Sequence, residues 1–350
     1  MSPQELMSAS RSRKQTQPEP RPRRAGAAAL GLLEPVVVWV VVGIAGAALL
    51  HGSLLFLATT AVVYALFAMG TNVLLGWVGM TSFGQAAFFG VGAYATGLLT
   101  THIESPVLVL IIGAVSAAVV ALLFGAVATR TIGVEFAMLT LVFGQILWLL
   151  LYRVPVLGGE SGLPGIPRGE ILGTSLFLDD VFWWYAIVTL IIATVTMRRL
   201  RESTWGVGLT AVRDNPRRAA ALGINVRWAR SMAFATAGFL AGLAGALFAQ
   251  LQGTASPDVM SWTLSGEVII MCLLGGVHSL WGPVVGAAIF TYANHLLDEA
   301  TNSSQLWFGL ILLAVVLALP EGLAGLATPV RQRLSKRLRR GPRRSEEVAV

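Results

Sequence analysis

Histidine, cysteine and lysine are the side chains from which nucleophilic, metal or phosphate chemistry would be built, and here they are few and scattered. The four histidines, His51, His102, His278 and His295, share no metal-ligand spacing, and no H-E-x-x-H motif occurs. The single cysteine, Cys272, has no internal disulfide partner and sits in an apolar run, where it reads as a small core residue. Both lysines, Lys14 and Lys336, lack the preceding G-x-x-x-x-G loop that cradles phosphates, so the chain cannot by itself be a P-loop ATPase. No Ser/His/Asp grouping stands out. The expectation is a chain that is not an enzyme and binds neither metal nor cofactor. What remains are polar side chains inside apolar runs: Asn72, Ser82, Gln85 and Gln145, with Glu135 and Glu267 near helix ends. In hydrocarbon each needs a polar partner or a wet passage. Gln85 is expected either to line a passage or to hydrogen-bond between helices; Glu135 and Glu267 are expected to reach headgroups or water.

The elements that position these residues are membrane helices. Of 350 residues, 55% are hydrophobic and 12% charged, about half the charge of a soluble domain. Apolar runs fall at 36–50, 54–75, 84–101, 107–128, 132–151 and 181–197, then at 233–251, 268–277, 283–297 and 306–319. At roughly 20 residues per crossing, the expected fold class is an all-α polytopic membrane protein of eight to ten transmembrane helices, with ten preferred. The run 268–277 is too short to cross alone and could form a re-entrant hairpin with 283–297. Of 25 Lys and Arg residues, 22 lie in three patches: the N-terminal tail, the stretch from Arg198 to Arg230, and the C-terminal tail from Arg331 to Arg344. Such clustering marks the cytoplasmic side, and an even number of runs separates each patch from the next. Both termini are therefore expected in the cytoplasm, which places positive charge at the membrane surface and not on nucleic acid. The expected organisation is a disordered basic tail at 1–33, a permease domain at 34–327 and a second basic tail at 328–350. Within the domain, 152–180 forms an external loop and 198–230 a cytoplasmic one.

Glycine supplies the helix contacts. Gly238, Gly242 and Gly245 put small residues on one run, as close helix packing in lipid requires. At 79–94 and 275–286, glycine and polar residues interrupt apolar runs, the pattern of broken helices that line transporter cavities. In the cytoplasmic loop, Asn215 can cap a helix, Pro216 suits its first position, Ala219, Ala220 and Ala221 favour its continuation, and Gly223 past Leu222 suits its left-handed end. This short helix either fits another protein's groove or lies on anionic headgroups.

Blocks in fixed order carry a family likeness: GMTSFGQAAFFGVGAY at 79–94, FAMLTLVFGQ at 136–145, GGESGL at 158–163, AVRDN at 211–215, AALGIN at 220–225, AGLAGAL at 241–247, LGG at 274–276 and WGPVVG at 281–286. The chain resembles, beyond its N-terminal tail, the permease subunits of branched-chain amino-acid ABC importers of the LivM type. The resemblance implies a multi-pass permease of the bacterial inner membrane moving hydrophobic amino acids by alternating access. It implies a homologous second permease subunit, two ATP-binding cassette ATPases that hold the ATP and Mg, and a periplasmic or lipid-anchored substrate-binding protein. The helix at 216–222 then looks like the coupling helix that docks on an ATPase. Gln85 stands where many relatives carry histidine, and Arg217 and Arg218 replace more neutral or acidic residues, which leaves open a related importer for urea, small amides or other amino acids. A secondary transporter is disfavoured, because the spans hold no evident buried ionisable pair.

Overall fold

The computed structural model describes residues 25–171, 173–300 and 309. Helices α1 (Ala25–Leu49), α2 (Ser53–Asn72), α3 (Gln85–Leu99), α4 (Pro106–Ala128), α5 (Val134–Arg153) and α6 (Asp179–Glu202) precede the arginine-rich stretch. Within it lie α7 (Thr204–Asp214) and α8 (Pro216–Ala221), and α9 (Val226–Gln252), α10 (Trp262–Gly275) and α11 (Gly282–Ala300) follow. Among the described residues, five stretches are long and apolar enough to cross a membrane: Ser53–Val78, Pro106–Ala128, Val134–Arg153, Asp179–Glu202 and Val226–Gln252, while Glu34–Leu49 and Trp262–Gly275 are shorter apolar helices. The protein is thus a polytopic all-α membrane protein. The run at 306–319, apart from Gly309, and the tail at 328–350 lie outside the described residues, as do residues 1–24. Helix α1 starts at Ala25, inside the stretch expected as a tail, because the alanine-rich segment ahead of Glu34 favours helix over coil.

Local signals set the helix ends. Ser105, Ser203, Asn225 and Ser261 each accept a hydrogen bond from a backbone N–H of the following turn and so cap α4, α7, α9 and α10. Helix α6 carries Asp179 and Asp180 in its first turn and Arg199 and Arg201 in its last, in keeping with its dipole. Helix α9 is the central post, packed most extensively on α4, α3 and α2. Its small residues make that possible: a Cβ on Gly238 would run into Ala121, one on Gly242 into Ala117, and one on Gly245 into the Phe89 carbonyl of α3. The long loop between α5 and α6 forms a two-stranded hairpin, Glu170–Ile171 with Thr174–Ser175, and pairs Leu163–Pro164 with Thr254–Ala255 past α9. Arg168 fastens it, donating to Asp179 at 2.9 Å and to the Leu251 carbonyl at 3.0 Å.

Two spans are broken where glycine and polar residues gather. Helix α2 ends in a π-helical turn, Val73–Val78, and Gly79 in the left-handed region (φ 76°) turns the chain into an irregular stretch that runs to α3. Helix α10, at 14 residues, covers about 21 Å of a hydrocarbon layer of about 30 Å. It packs against α11 as a hairpin, with Gly275 against the Gly282 carbonyl and Gly286 against that of Met271. The start of α3 also meets the first turn of α10: the Ala86 N–H donates to Ser265 Oγ at 3.0 Å.

Candidate functional site

Two features could do work: the polar seam along the α2–α3 break and the helix α8 projecting from the arginine-rich segment. In the seam, Asn72 is buried and its Nδ2 donates to the Ser279 carbonyl in the α10–α11 connection at 3.2 Å. The buried Ser82 hydroxyl accepts from the Gly84 N–H at 3.4 Å. The Phe83 N–H donates to Thr140 Oγ1 of α5 at 3.1 Å, so α5 closes over the break. Gln85 is 0% exposed, and neither its Oε1 nor its Nε2 meets a hydrogen-bond partner among the described residues; Asn72 Oδ1 is likewise buried and unpartnered. Such orphaned groups cost about 1–3 kcal/mol each in this conformation. Gln145 is set apart from the other three. It is half-buried on α5, one residue past Gly144, which packs on Gly84, and beside a stripe of exposed apolar side chains, Val134, Met138, Val142 and Ile146. The structure therefore strings Asn72, Ser82 and Gln85 along one break and leaves Gln145 on a neighbouring, outward-turned face.

Helix α8 has the caps its residues call for. Asn215 Oδ1 accepts from the Arg218 N–H at 2.9 Å, and Pro216 occupies the first turn. At the other end the N–H groups of Gly223 and Ile224 return to the carbonyls of Ala220 and Ala219, with Gly223 at φ 87°, a Schellman closure. Ala219 faces inward and is buried, while Ala220, Ala221 and Leu222 are exposed, Leu222 at 76%. Arg217 and Arg218 flank this apolar knob and are exposed too.

Two arginines that residue pattern alone did not single out join the two features. Arg213, at the end of α7, donates from Nη1 to the Gly76 carbonyl of the π-turn at 2.6 Å and from Nε and Nη2 to Asp214 at 3.1 Å. Arg201, at the end of α6, donates to the His278 carbonyl of the α10–α11 connection at 2.7 Å. The acceptors that tie them to the broken segments are main-chain oxygens, which no side-chain motif announces; the only signal was a basic residue at the end of each helix. Among the described residues no group of three or more His, Cys, Asp or Glu could hold a metal ion.

The described residues thus hold a buried polar seam along the helix break and an exposed apolar knob on α8, in a polytopic helical membrane protein. The family described as "Branched-chain amino acid transport system / permease component" matches residues 53–320, and the chain belongs to it. The chain is similar to LivM of Escherichia coli (strain K12), a high-affinity branched-chain amino acid transport system permease protein, with 26% identity over 78% of this chain and 70% of the relative. It is also similar to LivH of the corresponding system of Salmonella typhimurium (strain LT2), with 24% identity over 75% of this chain and 91% of the relative. A shorter stretch, 45% of this chain and 48% of the relative, is 30% identical to LsrC of Salmonella paratyphi B, an autoinducer 2 import system permease protein. No solved structure matches. The chain is accordingly an inner-membrane permease subunit of an ABC import system and not an enzyme.

Proposed function

We propose that this chain is the permease subunit of an importer for branched-chain or other hydrophobic amino acids, crossing the membrane ten times with both ends in the cytoplasm. It works beside a homologous second permease, two ATPases that hold ATP and Mg, and an external binding protein that selects the solute. The observation that carries the reading is α8: a short helix, capped at both ends, presenting Ala220, Ala221 and Leu222 to solvent from the segment richest in arginine. Closure of the ATPases moves α8, and the bundle rocks between inward-open and outward-open states around the broken spans. Asn72, Ser82, Gln85 and Gln145 are the candidate passage residues. The orphaned amide of Gln85 supports this, because a state that admits water or solute relieves its cost. The exposed stripe of α5 beside Gln145 is the face proposed to meet the second permease.

Uptake of labelled leucine, isoleucine, valine and urea by cells with and without this chain tests the substrate. Accumulation of the three amino acids that disappears on deletion is expected; loss of urea uptake alone assigns the chain to the amide importers. Ala220→Trp, which puts bulk on the α8 knob, is expected to abolish uptake while hydrolysis continues. Wild-type uptake by that variant contradicts docking through α8.

A further inference from the structure

The seam and the knob are joined by more than chain connectivity. Helices α6, α7 and α8 form one bent arm. Gly206 packs directly on the Leu200 and Arg201 carbonyls, leaving no room for a Cβ at the α6–α7 corner, and Ser203 Oγ donates to the Leu200 carbonyl at 2.6 Å. Arg213 is two residues ahead of the Asn215 cap of α8, so a displacement of α8 has little slack to absorb it before reaching Arg213. The arm touches the π-turn at two points and the α10–α11 connection at a third. Trp205 of α7 packs edge-on against Trp77 of the π-turn at 6.4 Å, Arg213 holds the Gly76 carbonyl, and Arg201 holds that of His278. The two held segments are pressed together. Gly76 lies so close to the Val277 carbonyl that a Cβ would collide with it, and Asn72 bridges to Ser279. Gly79, left-handed and at the Arg213 stem, is where the chain turns from the π-turn into the stretch leading to Gln85.

We infer that Arg213 and Arg201 are positioning residues that carry the movement of α8 to both broken spans at once, gripping the π-turn of α2 and the α10–α11 connection by their main-chain carbonyls. The inference rests on the proposed docking role of α8. Carbonyls at a π-turn and a helix end lie outside a regular ladder. A guanidinium can bind them strongly, and re-seating it on a neighbouring carbonyl breaks no helix. A charge-assisted bond of this kind holds an orientation as well as a distance.

The test uses the full chain assembled with its permease and ATPase partners in proteoliposomes, with the external binding protein and labelled leucine supplied. Uptake, ATP hydrolysis and recovery of the complex are measured for Arg213→Ala, Arg201→Ala, Arg213→Lys and Ala220→Trp. With the alanine variants, uptake per ATP hydrolysed falls roughly tenfold, equivalent to about 1.4 kcal/mol of lost coupling, while hydrolysis and recovery stay near wild type. Arg213→Lys, which keeps a charged donor, recovers part of the loss. Unchanged uptake per ATP in both alanine variants, or a parallel fall of uptake, hydrolysis and recovery as a purely stabilising cap would give, overturns the inference. Ala220→Trp separates the two levels. If it uncouples while the arginine variants do not, only the arginine link fails. If it too keeps a wild-type ratio, docking through α8 fails with it.

Discussion

At the scale of single residues, an unusual feature is a fully buried glutamine amide with no hydrogen-bond partner for either of its atoms among the described residues. Gln85 begins α3, so its backbone is committed to the first helical turn, while Ser265 attends to the neighbouring Ala86 N–H and not to the amide. A group left so, at about 1–3 kcal/mol, is tolerable in a molecule that spends part of its cycle in another conformation. Replacing Gln85 by methionine, close in shape and without the amide, is expected to raise the melting temperature of the purified chain and to lower uptake. A lower melting temperature with normal uptake shows instead that the amide is bonded and structural. Residue type alone marked Gln85 as polar within an apolar run but said nothing about its partners, because those are fixed by which helices come together.

At the scale of elements, the bundle is set by where backbones touch. Gly245 on α9 meets the Phe89 carbonyl of α3, a contact that a larger side chain cannot share. Gly245→Val is expected to cost about 3 kcal/mol and to show as poor recovery and early thermal unfolding in detergent, whereas Gly266→Ala on α10, where a Cβ meets nothing, leaves stability unchanged or slightly improved. Equal behaviour of the two variants contradicts this packing. Helix positions were legible because long apolar runs mark them and several helices start at a capping serine or a glycine, as at Ser105, Gly84 and Gly133, and α8, expected at 216–222 and found at Pro216–Ala221, was legible because Asn215, Pro216 and Gly223 suit the ends of a short helix. The π-turn at Val73–Val78 was not legible, since its residues continue an apolar helix without interruption and only contact with Val277 and Arg213 marks the change. The join of Asn72 to Ser279, 207 residues away, likewise follows from tertiary packing that local pattern does not encode.

At the scale of the whole molecule, charge decides orientation and composition decides division of labour. Residues 198–230 hold eight of the arginines and the loop at 152–180 only Arg153 and Arg168, and on that asymmetry rests the proposal that the first faces the cytoplasm and the second the outside. With Cys272 buried and silent, Arg218→Cys is expected to react with a membrane-impermeant thiol reagent only after cells are permeabilised, and Ser175→Cys to react in intact cells. The reverse labelling inverts the protein and removes α8 from reach of any ATPase. In the proposed assembly this chain provides a route and a lever, while fuel use and solute selection reside in other subunits. The most direct test is reconstitution of this polypeptide alone in liposomes, with a proton or sodium gradient imposed and labelled leucine outside. No accumulation above equilibrium is expected until the partner subunits and ATP are supplied; concentration of leucine by the isolated chain under an ion gradient would contradict the account.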